Sequence, residues 1–179
     1  MANTDNEREL CMTDHVKYID KTRDYYRSVG YTQDYQWARN ESCGFTPLSK
    51  PLRECKIGLV STAAMVTLAD DGTELEPVRM MGSNKLEVFS LPSDWPLSRV
   101  RSTSEDHDRF QTDMADFGAY FPKELLKELA EDGIIGGFAD ECWRILPNYS
   151  KRKVEHVDAP EVLQRARALD VDAVAITPV

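Results

Sequence analysis

Apolar and polar positions alternate between two periods along this chain, and the two periods predict different elements. From Asp14, Val16, Ile19, Tyr26 and Val29 recur near helical spacing, with Thr13 or Asp14 as the cap and Gly30 as the stop. Lys56–Leu68, KIGLVSTAAMVTL, is almost continuously apolar, the pattern of a strand buried on both faces of a parallel sheet. Lys85–Leu91, KLEVFSL, alternates and reads as a second strand running into a segment broken by Pro92 and Pro96. Pro122 opens a helix whose core face is Leu125, Leu126 and Leu129, and Gly133 ends it. Ala159–Leu169 is a further helix with Pro160 in its first turn and Val162, Leu163, Ala166 and Leu169 on one face, and Val171–Thr177 is the last strand.

Between these elements the signals are weaker. The paired glycines of IIGGFA at 134–139 suit a close backbone approach, and Cys142–Leu146 reads as a weak strand or turn before the basic run Lys151-Arg152-Lys153. Asp71-Gly72 marks a turn. The order of short apolar strands and helices predicts an α/β fold. It is a single domain with a small, mainly parallel sheet flanked by helices in a Rossmann-like, three-layer arrangement. Its parts are a charged tail at 1–13, an N-terminal helix and extended arm at 14–55, and the α/β domain at 56–179. The arm carries Tyr31, Tyr35, Trp37, Phe45, Pro47 and Pro51. Such anchors either plug surface grooves of the domain or hold a partner.

Charge narrows the function classes. There are 22 Lys+Arg against 31 Asp+Glu, a net charge of −9, which is the wrong sign for a nucleic-acid binder. No run of about 18 apolar residues exists, and MANTDNERELCMTD has no apolar stretch of a secretory signal, so a cytoplasmic location is expected. Cys11, Cys43, Cys55 and Cys142 form no C-x-x-C pair and, with His15, His107 and His156, no zinc pattern. Free buried or half-buried thiols are expected, and no metal site.

Candidate chemistry is sparse. Ser61 and Thr62 fall where the first strand should end, and open α/β sheets bind ligands at strand carboxyl ends. The irregular segment 101–121 holds the one dense polar cluster, Glu105, Asp106, His107, Asp108 and Asp113. A histidine among carboxylates can serve as a general base or ligate a metal, and the same cluster can equally be a solvated acidic loop that His107 braces. Phosphate-loop, dinucleotide, nucleophile-elbow and HExxH signatures are lacking.

Several blocks in this order resemble the selenoprotein B family, the glycine, sarcosine, betaine and D-proline reductase components and their relatives. They are F-T-P-L-x-K-P-L at Phe45–Leu52, K-I-G-L-V-S-T-A at Lys56–Ala63, and H-D-R at His107–Arg109. Then follow T-D-M at Thr112–Met114, F-P-K-E-L-L-K-E-L-A-E-D-G-I-I-G at Phe121–Gly136, and the last helix with D-V-D-A-V-A-I-T-P-V at Asp170–Val179. Where the family carries an Asp-Pro-Asn-like step, this chain reads Asp113-Met114-Ala115.

The resemblance implies a subunit of a selenol- or thiol-dependent reductase that cleaves a C–N bond of an amino acid or N-methylated amine. Its nucleophile would be a selenocysteine, with a nearby cysteine, just after the last strand. A dithiol would be the reductant, and a pyruvoyl group on a partner subunit would capture the amine. No catalytic residue is then expected within the 179 residues, which alone would be inactive. Ser61, Thr62, His107, Asp108 and Asp113 are the expected substrate-binding residues. The codon after Val179 is expected to be UGA, followed by a frame encoding a Cys or x-x-Cys motif, a helix and a further strand; a natural terminus is the other reading. The alternative function is a non-catalytic ligand-binding or accessory domain of the same fold.

Overall fold

A computed structural model describes residues 18–34, 42, 44, 46–75, 88–103, 113–145 and 151–178. The chain divides into two units, Met1–Thr46 and Pro47–Val179. In the first, helix α1 (Tyr18–Ser28) ends at Gly30, whose φ of +96° is open to glycine at no steric cost. Its N–H bonds to the carbonyl of Arg27, and the Tyr31 N–H reaches back to that of Tyr26, which closes the last turn. Tyr35, Trp37 and Phe45 of the expected arm, and residues 14–17 of the expected helix, lie outside the described residues.

The second unit is α/β. Its main sheet has four strands in the order β3 (Phe89–Pro92), β5 (Gly137–Arg144), β1 (Lys56–Ser61), β6 (Ala173–Thr177). β1 is parallel to both β5 and β6, and β3 is antiparallel to β5 at the edge. A separate antiparallel pair joins β2 (Met65–Thr67) to β4 (Val100–Ser102).

The period of two along β1 divides the core. Ile57 and Leu59 point to one face, where helix α2 (Lys123–Glu131) and the β2–β4 pair cover them with Leu126, Leu129, Met65 and Val100. Val60 points to the other, where Ala166, Val162 and Leu169 of helix α3 (Ala159–Ala168) and its C-terminal turn pack with Trp143. One helix on each face gives the three layers, and a strand buried on both sides explains the unbroken apolar run. Gly58 is where Trp143 comes close: a Cβ there would stand 2.7 Å from the indole. Gly136 is tighter still, since its Cβ would meet the Glu54 carbonyl carbon at 2.4 Å; of the paired glycines it is Gly136 that lets the backbone pass another stretch of chain.

Several expectations need correction. Lys56–Leu68 is two strands in two sheets, because the Ser61 hydroxyl accepts the Ala63 N–H at 3.1 Å and turns the chain out of the sheet after Thr62. Of Cys142–Leu146, Cys142–Arg144 are the end of an eight-residue strand that lies inside the sheet, and Leu146 lies outside the described residues. The polar Asp140 and Glu141 disguised it; they sit where the register slips between Ile57–Phe138 and Leu59–Cys142, an offset that frees acids from the core. Leu125 and Leu163 are about half exposed, each one residue off the face that Leu126 or Val162 turns to the core. Arg101 and Ser102 of the irregular segment 101–121 belong to β4. Pro122 stands at the N-cap of α2, just before the first turn.

Candidate functional site

Because β5 and β6 both run parallel to β1, the helix joining them starts beyond the strands' carboxyl ends and returns to their amino ends. Three carboxyl ends therefore meet on one edge: Ser61 and Thr62 from β1, Thr177 from β6, and Arg144 and Ile145 from β5. Backbone bonds lock the edge, with Thr62 N–H donating to the Thr177 carbonyl at 3.1 Å and Ile145 N–H to the Ser61 carbonyl at 3.0 Å.

A loop closes this edge from the α2 face. The Ser61 hydroxyl donates to the Tyr120 carbonyl at 2.7 Å, and the Thr177 hydroxyl reaches the same oxygen at 2.9 Å. Tyr120 is itself buried, and its phenol donates to the Met114 carbonyl at 2.9 Å, so residues 113–120 are fastened to the strand ends. Burial, then the Asp116 charge, pushes that phenol up to about 12, so it remains a proton donor across the physiological range. Asp113 heads the loop, exposed, its carboxylate accepting the Ala115 N–H at 2.9 Å.

The expected site residues thus separate by role. Ser61 is fully buried and its hydroxyl is spent on holding Tyr120 and Ala63. Thr62 lies half-buried at the rim. Asp113 reaches the same edge through the Tyr120 loop, and His107 and Asp108 lie outside the described residues. Thr177 and the Tyr120 carbonyl were missed. Thr177 carried the same signal as Ser61, a hydroxyl at the end of an apolar strand; the carbonyl carried none.

Two further groups bear on chemistry. Lys123, the first residue of α2, has a fully buried side chain whose ammonium donates to the Ser93 carbonyl at 3.0 Å and pairs with Glu124. Burial holds this lysine below its ordinary value, and Glu124 opposes that shift. Cys55 and Cys142 are buried free thiols. Burial pushes Cys142 up to about 12 against the opposing charges of Lys123 and Lys127, which makes it a poor nucleophile. Cys11 and Cys43 lie outside the described residues.

Behind the edge, Phe89, Leu91, Val100, Phe121 and Cys142 line an apolar cavity of about 20 Å³, room for a water and nothing larger. Among the described residues no group of three His, Cys, Asp or Glu side chains is placed to hold a metal, and no helix is long and apolar enough to cross a membrane. Compared with known proteins, the chain matches no family model, no curated protein and no solved structure.

Proposed function

We propose that this chain is the ligand-binding α/β subunit of a selenol- or thiol-dependent reductase acting on a small amine or amino acid. The observation that carries the proposal is the shared strand edge. Two hydroxyls from neighbouring parallel strands grip one loop carbonyl and hold the carboxyl ends of β1 and β6 rigid beneath a half-buried threonine. Open α/β sheets bind small ligands at such edges, and rigid strand ends position reacting groups better than loops do. The sequence blocks resembling selenoprotein B supply the reaction class. In this role the chain orients the substrate, and the reducing nucleophile comes from a group other than the buried Cys55 and Cys142. A pyruvoyl-bearing partner subunit and a dithiol complete the proposed system.

Calorimetric titration of the chain with glycine, sarcosine, betaine and D-proline, followed by a dithiol-dependent assay for released amine, tests it. Saturable binding of at least one compound without turnover is expected. Absence of binding by all four removes the reading, and turnover by the 179 residues alone overturns the division of labour. The buried state of both described thiols also favours the second reading, a non-catalytic binding domain, which predicts binding that a reductase partner never converts into turnover.

A further inference from the structure

Among the described residues, the helix between β5 and β6 is interrupted by a π turn. Lys151–Lys153 form a first helical turn, Val154–Asp158 wind as a π turn, and α3 follows. In an α-helix, side chains five residues apart diverge by about 140° around the axis, whereas the wider π turn, with its i→i+5 hydrogen bonds, brings i and i+5 to the same side of the helix. That realignment allows Lys153 to meet Asp158 at 2.6 Å, although Asp158 is almost wholly buried. One carboxylate oxygen of Asp158 is taken by the lysine, and the other has no partner among the described residues. Extended π geometry is uncommon and tends to mark functional positions.

An open cleft of about 490 Å³ lies over this turn, lined among the described residues by Arg152, Lys153, His156 and Val157. The acids nearby are assigned elsewhere: Glu155 pairs with Lys151 at 3.6 Å, and Asp158 with Lys153. Arg152 and His156, one turn apart and both exposed, have neither an ion pair nor a hydrogen bond among the described residues. In a chain of net charge −9, an uncompensated guanidinium beside an imidazole on this open surface favours an anion by charge.

We propose that this cleft binds a phosphate group, as the free ion or as the terminal group of a small phosphorylated molecule, with Arg152 as a forked donor and His156 as a second donor. The Lys153–Asp158 pair fixes the turn that aims them, and the topology sets the cleft at the strand-carboxyl end of the helix. The proposal stands independently of the reductase reading.

The test is an NMR titration of the full chain with inorganic phosphate, following the Arg152 side-chain N–H and the His156 ring. Saturable shifts at both are expected. Arg152→Gln should weaken binding at least tenfold and His156→Gln several-fold. Lys127→Gln, a charge change on α2 across the sheet, should alter binding less than twofold. Both cleft substitutions are on exposed positions and leave the folded spectrum intact. Non-saturating shifts in the native chain, or unchanged affinity in R152Q and H156Q, overturn the proposal. If the phosphate site serves a larger molecule, a phosphorylated small compound will compete with the free ion at Arg152; competition that bypasses Arg152 contradicts it.

Discussion

Ser61 and Thr177, 116 positions apart in the chain, give their hydroxyls to the same oxygen, the Tyr120 carbonyl, at 2.7 and 2.9 Å. Ser61 does more, because its oxygen also accepts the Ala63 N–H. Ser61→Ala should therefore cost about 1–3 kcal/mol, the range for leaving a buried donor unpaired, and Thr177→Val about 0.5–1.5 kcal/mol. In the double variant the carbonyl loses both side-chain donors, so its cost should exceed the sum of the singles. Urea unfolding of the four proteins measures this; additive costs would show that the two hydroxyls do not share a role.

Gly136 and Gly137 make a matched pair. A methyl on Gly136 would stand within 2.7 Å of the Glu54 and Cys55 backbone, which cannot yield as a side chain does, whereas one on Gly137 meets only the Lys56 side chain at 3.9 Å. Gly136→Ala should lose about 1–3 kcal/mol or more by overpacking, and Gly137→Ala should change stability by less than about 1 kcal/mol. Thermal melts of the two variants side by side check the contrast.

The fold was legible where hydrophobic period and glycine position left one solution. The apolar face of Val162, Ala166 and Leu169 gives α3, the run in Lys56–Ser61 gives a strand buried on both sides, and Gly136 sits where two backbones touch. It was illegible where a side chain overrode the pattern. Nothing apolar marks the break after Ser61, which comes from a hydroxyl-to-backbone bond, and β5 is disguised by acids lodged at an irregular register. At the candidate site, Ser61 and Thr62 were marked by their place at a strand end. The Tyr120 carbonyl is a backbone atom brought there by tertiary packing, and no residue type announces it.

Asp172 ties the first strand to the last. Its carboxylate accepts the Lys56 N–H at 2.7 Å and pairs with Lys50 at 2.8 Å, and the Lys50 bond first, then the backbone bond, holds it below its ordinary value of 3.8. A depressed acid contributes stability that is complete above its unfolded value and is lost as pH falls through the folded one. The native chain should therefore lose stability below about pH 4, and Asp172→Asn should lose less over the same interval while being weaker at pH 7. Denaturant midpoints at pH 7, 4 and 3 for both proteins measure the difference; parallel curves would exclude Asp172 as a contributor.

Cys142 should be inert. A thiol raised from 9.0 to about 12 has a thiolate fraction at pH 8 lower by a factor on the order of 1,000, apart from any steric shielding. In a background with Cys11, Cys43 and Cys55 replaced by serine, an aromatic disulfide reagent should label Cys142 slowly in the native protein and fast in denaturant. Because the raised value belongs to the folded state, this group also makes stability fall as pH rises from about 9 towards 12. Rapid native labelling would contradict the burial on which its exclusion as nucleophile rests.

The proposed function places the ligand at the shared carboxyl edge of β1 and β6. Backbone NMR shifts of the labelled chain, recorded during titration with glycine, sarcosine, betaine and D-proline, test it most directly. Saturable shifts that cluster at Thr62, Ala63, Thr177 and the Asp113–Tyr120 loop are expected for at least one of these amines. Saturable shifts confined to α2, or to the outer edge of β3, with Thr62 and Thr177 unmoved, would contradict it.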